Sequence, residues 1–156
     1  MAEALAKRCR PGVRLLHDRK QHRGRANIDH LAVTPTGVWV IDAKRYAGQK
    51  IRVEKPLFDT AKLVIAGRDK TKLVDGLMRQ VETVRAVIDE IAPGTPVHGA
   101  FCFVDGDVPL LGTREIRGLP ILNRRSLAKR LGADGPVTDE AVAALATALA
   151  DRFPPA

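Results

Sequence analysis

A chain of 156 residues, 45% hydrophobic and 28% charged, has the size of one globular unit, so a single domain spanning residues 1–156 is the expectation. No stretch approaches the roughly 18 to 20 apolar residues of a membrane span, and the N-terminus lacks a secretory signal's apolar core, which points to the cytoplasm. The formal charge of +8 is one-sided: Met1 to Lys55 hold 13 Lys/Arg against 5 Asp/Glu, and the remaining 13 of each cancel.

Residues 2–9 read as the end of a helix, and Val13 to Asp18 as a short strand after the Arg10-Pro11-Gly12 break. A basic loop, Arg19 to Arg25, follows. Ile28 to Val33 and Val38 to Ala43 are apolar, β-branched runs separated by Thr34-Pro35-Thr36-Gly37, which predicts a hairpin with a four-residue loop. Ile51 to Val53 and Leu63 to Ala66 resemble further strands. From about Thr71 to Ile91 the apolar residues Leu73, Leu77, Val81, Val84, Ile88 and Ile91 recur every three or four positions, predicting a long helix ended by Ala92-Pro93-Gly94. Val97 to Val104 suits a strand buried on both faces, with Leu119 to Leu122 as a shorter neighbour. Two helices close the chain: Arg124 to Leu131, stopped by Gly132, and one starting near the N-cap Thr138, with Asp139 and Glu140 favoured by the helix dipole. A meander followed by a crossover helix implies an α/β fold, a mixed central sheet flanked by helices in the order αβββαβ.

If the hairpin closes at Thr34 to Gly37, Leu31 pairs with Val40 and Asp29 with Asp42. Opposed residues have Cβ atoms about 4.5 to 5.5 Å apart, where two carboxylates destabilise the sheet unless a cation or proton lies between them. A hard divalent ion resolves that conflict. Lys44 shares the face of Asp42 because strand side chains alternate. Oxygen ligands for Mg²⁺ beside an ammonium are what phosphodiester hydrolysis needs. A bare Asp-x-Lys is common in proteins, and solvated acids paired with lysines would look the same. His30 points to the opposite face, where a packed or partnered histidine is the better reading.

The run Asn27-Ile28-Asp29-His30-Leu31-Ala32-Val33-Thr34-Pro35-Thr36-Gly37-Val38-Trp39-Val40-Ile41-Asp42-Ala43-Lys44 closely resembles the central hairpin of the nuclease-related domain (NERD) family of the PD-(D/E)xK nuclease superfamily. The similarity extends through Gly67 to Leu73, the helix with Gln80-Val81, and Val97 to Val104 with Asp105. The resemblance implies a restriction-endonuclease-like core, Asp29 and Asp42 as metal ligands, Lys44 as the catalytic lysine, and Gln80 pointing into the site from the crossover helix. The read alternative for Gln80 is a boundary residue satisfied by a local hydrogen bond. Members similar to this chain carry a Gly-x-x-Gly-Glu run whose glutamate joins the metal site from the first helix. That run is missing, and Glu3 does not fall in such a motif, so either the chain is shortened at its N-terminus or the acid comes from elsewhere.

The expected function is therefore a Mg²⁺- or Mn²⁺-dependent nuclease acting on nucleic acid, DNA ahead of RNA, with a homodimer allowed for cutting two strands. Arg23, Arg25 and Arg45 are the nearest candidates for phosphate contacts, with Lys20, Lys50 and Arg52 further off, and Tyr46 offers a ring for base stacking; solvated surface charge is nearly as good a reading for each. Trp39 alternates away from the carboxylates and reads as core. The alternative is a catalytically impaired nucleic-acid-binding domain of the same fold; a third reading is a domain whose basic face meets an acidic protein. Other chemistries fare poorly: Ser126 is the sole serine, Cys9 and Cys102 lack metal-ligand spacing and read as free thiols, and no phosphate-cradling Gly-x-x-x-x-Gly-Lys run occurs.

Overall fold

The computed structural model describes residues 1–21, 26–110, 112 and 114–156. A short helix, α1 (Ala2–Ala6), precedes a meander of β1 (Arg14–Arg19), β2 (Ile28–Thr34) and β3 (Gly37–Arg45). The hairpin register is the expected one, with Leu31 opposite Val40 and Val33 opposite Val38. Its loop is tighter than four residues. Pairing continues to Thr34 and Gly37, leaving Pro35 and Thr36 as the turn. The Thr34 hydroxyl donates to the Gly37 carbonyl at 3.0 Å and accepts the Thr36 N–H at 3.2 Å, which stabilises the short turn. Gly37 is required there: its φ is +121°, and a Cβ would lie 2.3 Å from the Pro96 carbonyl oxygen.

After β3 come β4 (Ile51–Glu54), β5 (Lys62–Ile65) and β6 (Arg68–Asp69). These do not extend the meander. They form a separate three-stranded antiparallel sheet, because β3 already has a neighbour on each side and offers no free edge. Helix α2 (Lys72–Ile91) then crosses back to β7 (Val97–Val104), which lies parallel to β3 with Asp42 beside Phe101 and Lys44 beside Phe103. Strand β8 (Glu115–Ile116) and strand β9 (Leu119–Leu122) complete a six-stranded mixed sheet in the order β1-β2-β3-β7-β9-β8. Helix α3 (Arg124–Leu131) is capped by Asn123, which accepts from Ser126 N–H at 2.8 Å, and α4 (Asp139–Arg152) has the expected cap, Thr138 accepting from Ala141 N–H at 3.2 Å. Thr71 precedes α2 without such a cap; its hydroxyl is hydrogen-bonded to Asp69.

Strand alternation divides the core. Leu31, Val33, Val38, Val40, Phe101 and Phe103 pack under α2 and α4 through Leu77, Val81, Val84 and Leu149. Ala32, Trp39, Ile41, Ala100 and Cys102 face the other way, toward Leu5 of α1 and Leu127 and Leu131 of α3. The chain is thus an α/β sandwich of helices on both sheet faces, the layout of a restriction-endonuclease-like core. Trp39 is core, as its parity predicts, and donates its indole N–H to Thr36 Oγ1 at 3.1 Å. Cys9 and Cys102 are free thiols, and burial pushes the Cys102 thiol up to about 12, away from reactivity. No helix among the described residues is long and apolar enough to cross a membrane.

Candidate active site

The pairing of β2 with β3 ends at His30 opposite Ile41, one residue short of Asp29 and Asp42, and alternation puts both acids with Lys44 on the α2 side of the sheet. The three are in contact. The Lys44 ammonium lies 2.5 Å from Asp42 Oδ1 and 3.8 Å from Asp29 Oδ2. Asp29 is fixed by the strand beside it, its Oδ2 accepting the Ala43 N–H at 3.0 Å. Asp42 is buried, and its Oδ1 accepts no hydrogen bond of good direction even though the ammonium is so close. The 2.5 Å approach is therefore an ion pair, with lone-pair capacity left on that oxygen.

Electrostatics follow from this placement. Burial raises the Asp42 pKa to about 6; Lys44 pulls against the shift and the Asp29 charge adds to it. For Lys44, burial alone would lower the pKa, but the adjoining Asp42 carboxylate and the charge of Asp29 outweigh it and hold the pKa above its ordinary value. Lys44 is therefore a cation at neutral pH. The like-charge conflict expected between the two acids is already relieved in part by this ammonium and by the proton that Asp42 retains below about pH 6.

A divalent ion fits this donor set. Mg²⁺ characteristically takes one or two carboxylates and completes its shell with water and substrate phosphate; Asp29 and Asp42 supply two carboxylates on one face, one with an unsatisfied buried oxygen. No cluster of three or more His, Cys, Asp or Glu suited to a metal occurs among the described residues. Glu3 does not supply a third: it is ion-paired with Lys7 at 2.8 Å, on the helix whose Leu5 packs against the opposite sheet face.

Gln80 reaches the edge of the site from α2, donating its Nε2–H to the Asn27 carbonyl at 3.1 Å. That bond, across 53 residues, ties the crossover helix to the strand entry two positions before Asp29. Tyr46 is half-buried, its ring tilted against Phe103 at 6.1 Å, so one face is already in use. Arg45 points the other way and meets Asp105 at 3.6 Å. Arg23 and Arg25 lie outside the described residues. His30 is buried and partnered, as its parity suggests, with its Nδ1 2.8 Å from that of His17.

Residues missed in the sequence gather at the carboxyl ends of the parallel strands. Asp105 follows β7 with φ +58° and bridges Arg45 to Arg124, whose NH2 is 3.2 Å away, just beyond β9. Asp105 and Arg124 line a cleft of about 240 Å³ with Arg8 and Arg125. The readable signal was position: ligands of open α/β sheets gather outside the carboxyl ends of the strands, and Asp105 and Arg124 each follow a buried apolar run.

No curated protein and no solved structure matches the chain significantly. The family model described as "Nuclease-related domain", NERD, matches residues 1–104, which contain the hairpin, all three charged site residues and the whole crossover helix. The chain belongs to the nuclease-related domain family, within the PD-(D/E)xK superfamily.

Proposed function

We propose that this protein is a Mg²⁺- or Mn²⁺-dependent nuclease that hydrolyses phosphodiester bonds, with DNA ahead of RNA as substrate. The observation that carries the reading is the contact set Asp29, Asp42 and Lys44 on one sheet face of a nuclease-related domain. Asp29 and Asp42 would hold the ion. When bound, the ion supplies Lewis acidity toward a phosphoryl oxygen and lowers the pKa of water. Asp29 is held in place by the Ala43 N–H, so its carboxylate is preorganised. Lys44, kept protonated by its two neighbours, is no base; it donates hydrogen bonds and stabilises negative charge developing on the phosphate. Gln80 positions the β2 entry through Asn27. Arg45, Tyr46 and the Arg8, Arg124 and Arg125 cleft are the proposed track for the nucleic-acid backbone.

A time course on end-labelled single- and double-stranded DNA with Mg²⁺, Mn²⁺ or chelator tests this. Cleavage that chelator and Asp42→Asn both abolish supports it; no cleavage above the variant's background refutes it. The second reading, a nucleic-acid-binding domain without turnover, is favoured by one observation, that Glu3 is paired with Lys7 away from the site. It predicts salt-sensitive DNA binding indifferent to metal.

A further inference from the structure

The β4–β5 hairpin ends in two large apolar side chains that nothing among the described residues covers. Leu57 is 93% exposed and Phe58 100%, at a turn between Lys55-Pro56 and Asp59-Thr60. Single exposed apolar residues are ordinary. Two adjacent ones at one turn, one of them an aromatic, leave apolar surface in water that docking would remove. The base of the same hairpin is firmly rooted: Ile51, Leu63 and Ile65 are buried in the main core, and Ile51 N–H bonds to the Asp107 carbonyl at 3.0 Å. A Cβ on Gly106 would lie 2.5 Å from Ile51 Cδ1 and 3.6 Å from the Tyr46 carbonyl oxygen. The hairpin root therefore abuts the chain that leaves the Asp42–Lys44 strand.

We propose that Phe58, with Leu57, is a wedge that enters a nucleic-acid base stack beside the cleavage site. The proposal rests on the nuclease reading for the identity of the ligand. Charge favours that occupant: Lys50, Lys55, Arg68 and Lys70 around the small sheet have no carboxylate partner among the described residues, whereas Arg52 and Lys62 are paired with Glu54 at 3.3 Å and Asp59 at 3.2 Å. Size favours it too. Two side chains fall far short of the roughly 1,000 Å² that a specific protein interface needs, and they bury less than the single acyl chain that gives only marginal membrane binding. Apolar wedges of Phe or Leu inserted between base steps, flanked by cations on the phosphates, are a known way to unstack and bend nucleic acid. Five residues, 46–50, join β3 to the root of this hairpin, and four strand residues with the turn carry the tip on the order of 15 Å from Ile51.

The test uses the full chain, chelator and a DNA duplex carrying 2-aminopurine, so it does not depend on turnover. Binding at low salt should raise the 2-aminopurine emission as the base unstacks. Leu57→Ala/Phe58→Ala should abolish that rise and weaken binding about 10-fold, with an unchanged circular dichroism spectrum. Phe58→Trp should retain the rise and show quenching of the new indole, which is separable from the buried Trp39. Duplex binding with no emission change, or with equal affinity and signal in the double Ala variant, overturns the wedge and leaves the nuclease reading intact. Absence of any salt-sensitive DNA binding overturns both. Phe58-dependent partition onto phosphatidylserine vesicles, or Phe58-dependent dimerisation in sedimentation, without a DNA signal, assigns the tip to another occupant and overturns the proposal.

Discussion

Replacing Asp42 by Asn should stabilise the metal-free protein above pH 6 while removing its proposed function. Asp42 is buried, and its pKa rises from 3.8 to about 6. A carboxyl that holds its proton more tightly in the folded state than in the unfolded one makes the native state lose stability as pH rises from about 4 to about 6. At about 1.36 kcal/mol per unit, the ionised form costs on the order of 3 kcal/mol at neutral pH. The substitution removes that cost. The shift already contains the attraction of Lys44, which keeps Asp29 at 3.8 Å after the substitution. The expectation at pH 8 is therefore a gain of up to about 3 kcal/mol, or roughly 6 to 12 °C in Tm for a domain of this size. Urea unfolding in chelator from pH 8 to pH 4 measures it, and the advantage should shrink steadily below pH 6. His30, whose pKa burial lowers to about 4, destabilises the fold as pH falls, but it does so in both proteins and cancels in the difference. A variant less stable than wild type at pH 8, or a difference flat with pH, refutes the reasoning.

Further expectations follow from the same geometry. Lys44→Met should lower kcat at least about 100-fold by removing the donor to developing charge, with DNA affinity within a few-fold of wild type in filter binding. Gln80→Ala should cost about 1 kcal/mol in urea unfolding through loss of the bond to Asn27, and lower kcat with little change in KM; unchanged values in both would end its positioning role. Gly37→Ala should destabilise by about 1 to 3 kcal/mol from backbone strain alone, with the Pro96 clash adding to it, and Tm measures this. Arg125→Ala should reduce the slope of log affinity against log salt by about 1 if it contacts a phosphate; an unchanged slope removes it from the track.

Much of this architecture was legible because local rules and tertiary structure agree. The period-two runs and the Thr34 to Gly37 turn set the register that brings Asp29 to Asp42, and a loop shortened by pairing Thr34 with Gly37 left that register untouched. The apolar period from Leu73 to Ile91 found α2, and Thr138 marked a real cap. The separate sheet of β4, β5 and β6 was not legible, since it depends on β3 being saturated by β7 from across the chain. Two-residue strands such as β6 and β8 carry no periodic signal at all. At the site, parity identified which side chains share a face. It could not show that the Lys44 ammonium lies against Asp42, or that Asp105 ties Arg45 to Arg124, because those contacts depend on rotamers and on strand ends meeting in space.

The most direct test of the central claim pairs Mn²⁺ binding, followed by electron paramagnetic resonance, with DNA cleavage in four proteins: wild type, Asp29→Asn, Asp42→Asn and Lys44→Met. The account predicts that wild type binds Mn²⁺ and cleaves, that both Asn variants lose both properties, and that Lys44→Met keeps the ion but not the cleavage. Mn²⁺ binding that survives both Asn substitutions, or cleavage that persists in Lys44→Met, would contradict it.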